Sequence, residues 1–445
     1  MKLRGTHVVA AAALAGVLPG QAGAIEVYNQ NGLTIEAGIE AGAGGFLVDN
    51  PNFGLGRVDL ESGNNTGDSE HAEGYVEPSL SFNFAPGGMF ELYGKVSVVG
   101  ATTLGDGDAG GFTSGDEADF GLEQAHLGFR ATLGEGENPW VLDVSGGRND
   151  LSIGNAWLFA DGNFDGFSDT NFWLAPRSAF RRAGIVDLSN GMFGAKAFFV
   201  QADRDQDRPE VFGGDLRYTG DWGEIGILYA QIVDSRDIIF TREGMEMVSI
   251  RALGVPVPMV DGLSFSAEYT DQFGGDGAND FDAYAFYGQV DYNFSSLPWS
   301  PTLTYRYARF SGQSLGGGDV EAFDPLFYGF DGWGTWFQGE IMGEYILFNS
   351  NQRNHMVKLS GTPTDSIEVG AIYYNFDLDE KNFFGTPVTS RNFADEINFY
   401  VDWGVNDNVS FSAVAGAAFP DTAAKQAFGD NDNIYVLEAF VILNF

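Results

Sequence analysis

The chain has 445 residues, among them 62 Gly, 39 Phe and no Cys, and its formal net charge is −39. Without Cys there can be no disulfide scaffold, thiolate metal site or Cys nucleophile, and so acidic a chain excludes nucleic-acid binding through a basic face. Length alone suggests two or three soluble domains, a prior that is weak for all-β chains.

The first residues read as an address. Lys2 and Arg4 form a short positive region, residues 8–18 an apolar run, and Ala22-Gly23-Ala24 a small-x-small cleavage pattern. Residues 1–24 are therefore expected to be a secretory signal peptide and 25–445 the mature chain. A retained anchor is the alternative, but the run is too short to span comfortably. Removal of Lys2 and Arg4 makes an already acidic chain more so.

Beyond the leader no stretch reaches eighteen apolar residues, which excludes helical membrane spans. Period-two alternation takes their place. Leu33, Ile35, Ala37 and Ile39 alternate with Thr34, Glu36 and Gly38; Leu263, Phe265 and Ala267 with Ser264, Ser266 and Glu268; Ile397, Phe399 and Val401 with Asn398 and Tyr400. Successive side chains of a strand point to opposite faces, so each segment has one apolar and one polar face. Approximate strand cores fall at 33–48, 74–84, 89–104, 119–133, 140–150, 179–188, 192–202, 212–219, 224–233, 245–254, 263–273, 281–294, 300–310, 354–361, 367–376, 393–403, 409–418 and 434–445.

Three features favour a transmembrane barrel over a soluble sandwich. The segments run about ten residues, enough to cross tilted. Tight turns at 85–88, 189–191, 220–223 and 404–408 alternate with long acidic Gly-rich stretches at 49–74, 105–118 and 151–177. The last strand ends on Phe445, like the terminal aromatic strand that barrel-insertion machinery reads. The expected fold class is all-β: a transmembrane antiparallel barrel of about eighteen strands, with short periplasmic turns and long extracellular loops, in a Gram-negative outer membrane. The segment 333–348 also alternates, but a nineteenth strand would break the even count of a single-chain bacterial barrel. Residues 311–353 are therefore read as one excursion that returns as a hairpin or folds inward to narrow the channel.

Little in the sequence carries chemistry, and neither catalysis nor a cofactor is expected. His126, beside Gly128 and Arg130, reads as a lumen wall residue; a catalytic His-Ser pair is the alternative. Asp161, Asn163 and Asp165 resemble the start of a calcium loop, but Phe172 stands where that loop needs Glu, so a solvated Asx-rich loop is the plainer reading. The basic residues are more telling. Arg148, Arg177, Arg181 and Arg182 fall close together, and Arg130, Lys196, Arg217, Arg251, Arg306 and Lys358 occupy strand positions assigned to the lumen. Arg grips carboxylates in a fork, and basic rings select anions. A balanced lumen, with these bases paired to Glu36, Glu91, Asp143, Glu268, Glu396, Asp402 and Glu438, fits equally well.

Val144-Ser145-Gly146-Gly147-Arg148-Asn149-Asp150-Leu151-Ser152-Ile153-Gly154 resembles the Gly-Arg-Gln-x-Leu-x-x-Gly strand of alginate-export-type outer-membrane porins, with Asn149 in place of Gln. The stretch Phe323-Asp324-Pro325-Leu326-Phe327-Tyr328-Gly329, then Gly339-Glu340, Gly343-Glu344 and Asn349-Ser350-Asn351, resembles that family more closely. The resemblance implies a monomeric eighteen-stranded barrel with a narrow pore partly filled by inward loops, and it makes Arg148, Arg182 and Arg353 constriction candidates. Arg177, Arg181, Arg306, Glu340 and Glu344 join them as possible pore-lining residues. The expected function is a passive selective channel for small hydrophilic or anionic solutes. The alternatives are an exporter of an acidic exopolysaccharide such as alginate, and a non-channel structural protein of the outer membrane. Lipid and the insertion machinery are the expected partners.

Overall fold

The computed structural model describes residues 24–445 except 60–62, 64–66, 137, 164–169, 204–207, 237–241 and 278. Residues 1–23 of the expected leader, and Asp165 of the calcium-loop pattern, lie outside the described residues.

Eighteen antiparallel strands close into a barrel. They are β1 (Leu33–Asp49), β2 (Ser69–Phe84), β3 (Phe90–Gly105), β4 (Glu117–Leu133), β5 (Trp140–Asn149), β6 (Phe180–Ser189), β7 (Phe193–Gln201), β8 (Glu210–Gly220), β9 (Gly223–Asp234), β10 (Met245–Pro256), β11 (Leu263–Gly275), β12 (Asp280–Asn293), β13 (Thr302–Phe310), β14 (Gln352–Thr364), β15 (Ile367–Leu378), β16 (Asn392–Asn406), β17 (Val409–Pro420) and β18 (Ile434–Asn444). Each pairs with its neighbours in sequence, and β18 returns to β1 with Glu40 opposite Asn444 and Asp49 opposite Tyr435. A short leading strand, Ile25–Gln30, turns at Asn31-Gly32 and pairs with the part of β1 that β18 leaves free, Ile25 opposite Ala37 and Gln30 opposite Leu33. The two ends thus share one edge and leave no gap in the seam, which a membrane requires because unpaired backbone groups have no water there. Phe445 completes the closure, exchanging both backbone hydrogen bonds with Ile39 at 2.8 and 2.9 Å.

Alternation sorts the side chains. On β9, Ile225, Ile227, Tyr229 and Val233 point out and are exposed, while Leu228, Ala230 and Ile232 point in and are buried. The inner face is apolar towards the long-loop end because two loops fold into the lumen there. Residues 150–163, 170–179 and 311–351 pack on each other and on the wall. Phe159 bridges Phe327 in parallel, and Ala160 N and Phe327 N donate to Phe327 O and Leu158 O at 2.8 and 3.0 Å. Trp157 meets Trp336 edge-on, centroids 4.6 Å apart, and its indole N–H donates to Thr270 on β11 at 2.9 Å.

The second loop carries no strand. Its alternating stretch forms a nine-residue π-helix, Gly339–Leu347, every residue of which is buried. A short α-helix, α1 (Thr422–Phe428), is capped by Asp421 and closed by Gly429 in the left-handed conformation. With Phe53, Phe383 and Phe393 it makes an aromatic cover over the loop end.

Candidate permeation path

The lumen wall is written in ion pairs. Arg130 on β4 donates to Asp143 and Glu91 at 2.8 and 2.9 Å and lies 5.0 Å over the Tyr93 ring. Arg217 forks onto Asp187 at 3.0 and 3.1 Å, with Lys196 3.7 Å from the same carboxylate. Arg251 forks onto Asp215 at 2.6 and 3.0 Å and reaches Glu224 at 2.7 Å. Arg130, Lys196, Arg217 and Arg251 are thus paired with wall acids, whereas Arg306 and Lys358 donate to the loop carbonyls of Thr335 and Trp333, both at 2.9 Å.

At the long-loop end Asp203 gathers three of the four clustered arginines. Arg148 bonds it directly, Arg177 lies at 3.1 Å and Arg181 at 3.4 Å. Arg177 also reaches Asp119 at 3.2 Å and Glu123 at 3.7 Å. Burial works against the charge of Asp203, but the hydrogen bond from Arg148 and the fields of the three guanidiniums hold its carboxyl below the usual range. Arg148, Arg177, Arg181, Arg182 and Arg208, with Asp119 and Asp203, line a cavity of about 810 Å³. A second cavity of about 460 Å³ lies at the short-turn end, lined by Glu36, Glu91, Tyr93, Lys95, His126 and Arg130.

Between the two, the inner faces of β1–β5 keep a polar row. Glu40, Glu77, Lys95, Gln124 and Asp150 remain partly accessible, whereas Arg306, Tyr374 and Ala285 across the barrel are sealed under the inward loops.

Three wall glutamates that the sequence reading did not single out as anchors hold those loops. Glu73 accepts from Trp173 N at 3.1 Å and Leu174 N at 2.7 Å. Glu123 accepts from Ser178 N and Ala179 N at 2.9 and 2.7 Å. Glu396 accepts from Ile341 N and Met342 N at 3.2 and 2.8 Å. Each is an inward acid on a strand facing a long loop, and the loop's irregular backbone leaves N–H groups that must find acceptors. For Glu73 and Glu396 the available signal was an inward Glu without a matching base; Glu123 lies beside Arg148 and Arg177 as well.

Several site expectations change. Arg182 shares a face with Gly184, Val186 and Leu188 on β6, opposite the lumen-facing Asp187, so it points outwards. Arg353 likewise shares the outer face of β14 with Val357 and Leu359, where it and Arg309 both bond Asp379, at 2.7 and 2.6 Å. Strand parity decides both cases. Arg306 does face inwards, but it is buried beneath Trp336, its guanidinium 4.9 Å from the ring, and cannot touch a passing solute. Glu340 and Glu344 are buried on the π-helix rather than lining water. Burial first, and then the neighbouring Glu438, push both carboxyls well above the ordinary range. His126 stands in the second cavity as a wall residue. At the calcium-loop pattern, Asn163 N donates to Asp161 at 2.9 Å, an Asx turn, and no metal-binding group of acids or histidines exists among the described residues.

An even-stranded closed barrel with an apolar outer band, short turns at one end and loops tucked into the lumen is a porin barrel of the Gram-negative outer membrane. The sequence model of the alginate-export family matches residues 102–418, and the chain belongs to that family. No curated protein is significantly similar to it in sequence. Among solved structures it is similar to OpdL of Pseudomonas aeruginosa, at 12% identity and TM-score 0.56 over 92% of this chain and 98% of that one. It is similar to OccAB4 of Acinetobacter baumannii, at 12% and 0.56 over 94% and 100%. A BenF-like porin from Pseudomonas fluorescens Pf-5 matches at 12% and 0.56 over 92% and 99%. At such identity these likenesses speak for the fold.

Proposed function

We propose that this porin is a passive, selective channel for small hydrophilic solutes, and that they travel along the inner face of β1–β5. The observation that carries this reading is the polar row from Asp119 and Arg177, past Asp150, Lys95 and Glu77, to Arg130 and Glu91, set against a remaining wall packed with inward loops. A solute on this lane meets acids and bases in alternation. Such a lane offers weak polar sites that exchange readily, the condition for passage rather than trapping.

The chain has no Cys, so single introduced cysteines report accessibility without background. In planar bilayers, charged thiol reagents are expected to reduce the conductance of Lys95→Cys and Arg130→Cys channels and to leave Tyr374→Cys unaffected. Unaltered conductance at the first two positions overturns the lane.

The second reading, passage of an acidic polysaccharide, is favoured by the family's name and by the arginines round Asp203. Block of the current by oligouronates, absent with neutral oligosaccharides of equal length, would select it.

A further inference from the structure

We infer that the arginine-lined notch in the barrel wall between β4 and β6 binds the phosphate groups of an outer-leaflet glycolipid. The notch follows from strand lengths. β4 runs to Glu117 and pairs with β3 up to Thr103, but its pairing with β5 stops at Ala125 and Arg148, because β5 ends at Asn149. One edge of β4 above Ala125 therefore has no strand beside it, and the 810 Å³ cavity occupies that place.

The charge of the cavity is out of keeping with the chain. Among the described residues five arginines line it against two aspartates, Asp119 and Asp203, in a protein of net charge −39. Arg148 and Arg177 spend their charge on Asp203, Asp119 and Glu123. Arg182 faces outwards and makes no ion pair among the described residues. Arg181 touches only an edge of Asp203, with 41% of its side chain exposed. Arg182 on the outer face is thus free to meet an anion, Arg181 borders the same cavity from the inner side of the strand, and a phosphate accepts from a guanidinium fork in bidentate fashion.

The surroundings identify the source of that anion. Phe120 and Leu122, on the outer face of β4 at the border of the cavity, are 71% and 45% exposed, so the positive site adjoins an apolar, lipid-facing strip. Arg182 lies at the long-loop end of β6, just below loop 150–179, and hence at the outer leaflet. That leaflet is built from phosphorylated glycolipid, whose phosphates meet guanidiniums while its acyl chains meet Phe120 and Leu122. Basic pockets between transmembrane helices bind anionic lipid headgroups by the same chemistry. The other outward pair, Arg309 and Arg353, sits on a shared Asp379 and serves as the internal contrast.

The test is native mass spectrometry of the full mature protein in detergent, titrated with bis-phosphorylated lipid A, fully dephosphorylated lipid A and inorganic phosphate. Heat-modifiable electrophoretic mobility verifies the fold of each variant. The expected result is saturable binding of the phosphorylated lipid, weakened about tenfold or more in Arg181→Gln/Arg182→Gln and unchanged in Arg309→Gln/Arg353→Gln. The dephosphorylated lipid should bind no better than to the double variant, and phosphate alone should not compete. Equal binding of both lipids, or equal binding to parent and double variant, overturns the proposal. Competition by free phosphate makes the notch a simple anion site and overturns the lipid assignment. Should the double variant misfold, Arg182→Gln alone carries the same prediction.

Discussion

Glu396 offers the sharpest perturbation of the inward loop. The π-helix Gly339–Leu347 starts behind Gln338, a left-handed residue with no side-chain cap, so its first N–H groups depend on the wall. Glu396 takes Ile341 N on one oxygen and Met342 N on the other, and Asn398 Nδ2 supports the first at 2.8 Å. Gly339 makes the approach possible: a Cβ there would stand 2.5 Å from Glu396 Oε1. Glu396→Gln keeps the shape but turns one acceptor into a donor. One hydrogen bond is lost and one buried N–H is left unsatisfied, together about 3 kcal/mol. With no other change, release of the loop becomes roughly a hundredfold more populated. Glu396→Ala removes both acceptors and should roughly double that cost. The barrel itself is spared, because the β15–β16–β17 ladder runs through the backbone. Single-channel recording should therefore show more frequent large-conductance openings in Glu396→Gln and a predominantly open channel in Glu396→Ala. Parent-like gating in both variants, with heat-modifiable mobility preserved, refutes the anchoring argument.

Other outcomes follow from the same geometry. Removing residues 323–344 should raise single-channel conductance, since this stretch lies in the lumen; an unchanged value in a folded deletion contradicts it. Deleting Phe445 takes away both bonds to Ile39 and should lower outer-membrane yield while protein accumulates in the periplasm, as fractionation will show. Ion selectivity, read from reversal potentials at two ionic strengths, should favour cations at low salt through the acidic loops and lose that preference as the Debye length shrinks to ~8 Å at physiological salt. Arg177→Gln should make the path more cation-selective, and Arg182→Gln, which faces outwards, should leave selectivity unchanged. Glu340 and Glu344 have carboxyls raised above their ordinary 4.5 by burial and by Glu438, so the inward position binds protons that a released loop would shed. Its stability is full at pH below 4.5 and falls as pH rises towards the raised values; open probability should climb with pH in bilayer recordings.

The strands were legible because each obeys one rule over ten or more residues. A membrane demands apolar side chains on one face, and the sheet's period of two then fixes the register. The expected cores at 263–273 and 409–418 differ from β11 and β17 only at their loop ends, where the outward face leaves lipid and alternation loses its cause. The leading strand Ile25–Gln30 was missed for the opposite reason: it is six residues long, exposed throughout, and is specified by its seam with β1 rather than by its own pattern. Even-strand parity correctly denied residues 333–348 a place in the wall, yet could not supply the π-helix. A segment buried on every side has no face for a period to mark.

The site was less legible because charge in a barrel is assigned by parity, not by proximity along the chain. Arg181 and Arg182 are neighbours in sequence, yet the first turns towards Asp203 and the second away from the lumen. Arg148 and Arg177 stand at opposite ends of loop 150–179, yet they meet on one carboxylate because β5 ends early and Asp203 lies just beyond β7. That hub sits in a loop whose sequence carries no strand alternation to mark it. The inward glutamates make the same point from the other side. Glu73, Glu123 and Glu396 look like lumen acids awaiting cations, but each serves the backbone of a loop that folds back on it. A basic residue on a strand is therefore a pore residue only if its parity is inward and no loop covers it. Arg130 meets both conditions, whereas Arg306 fails the second and Arg353 the first.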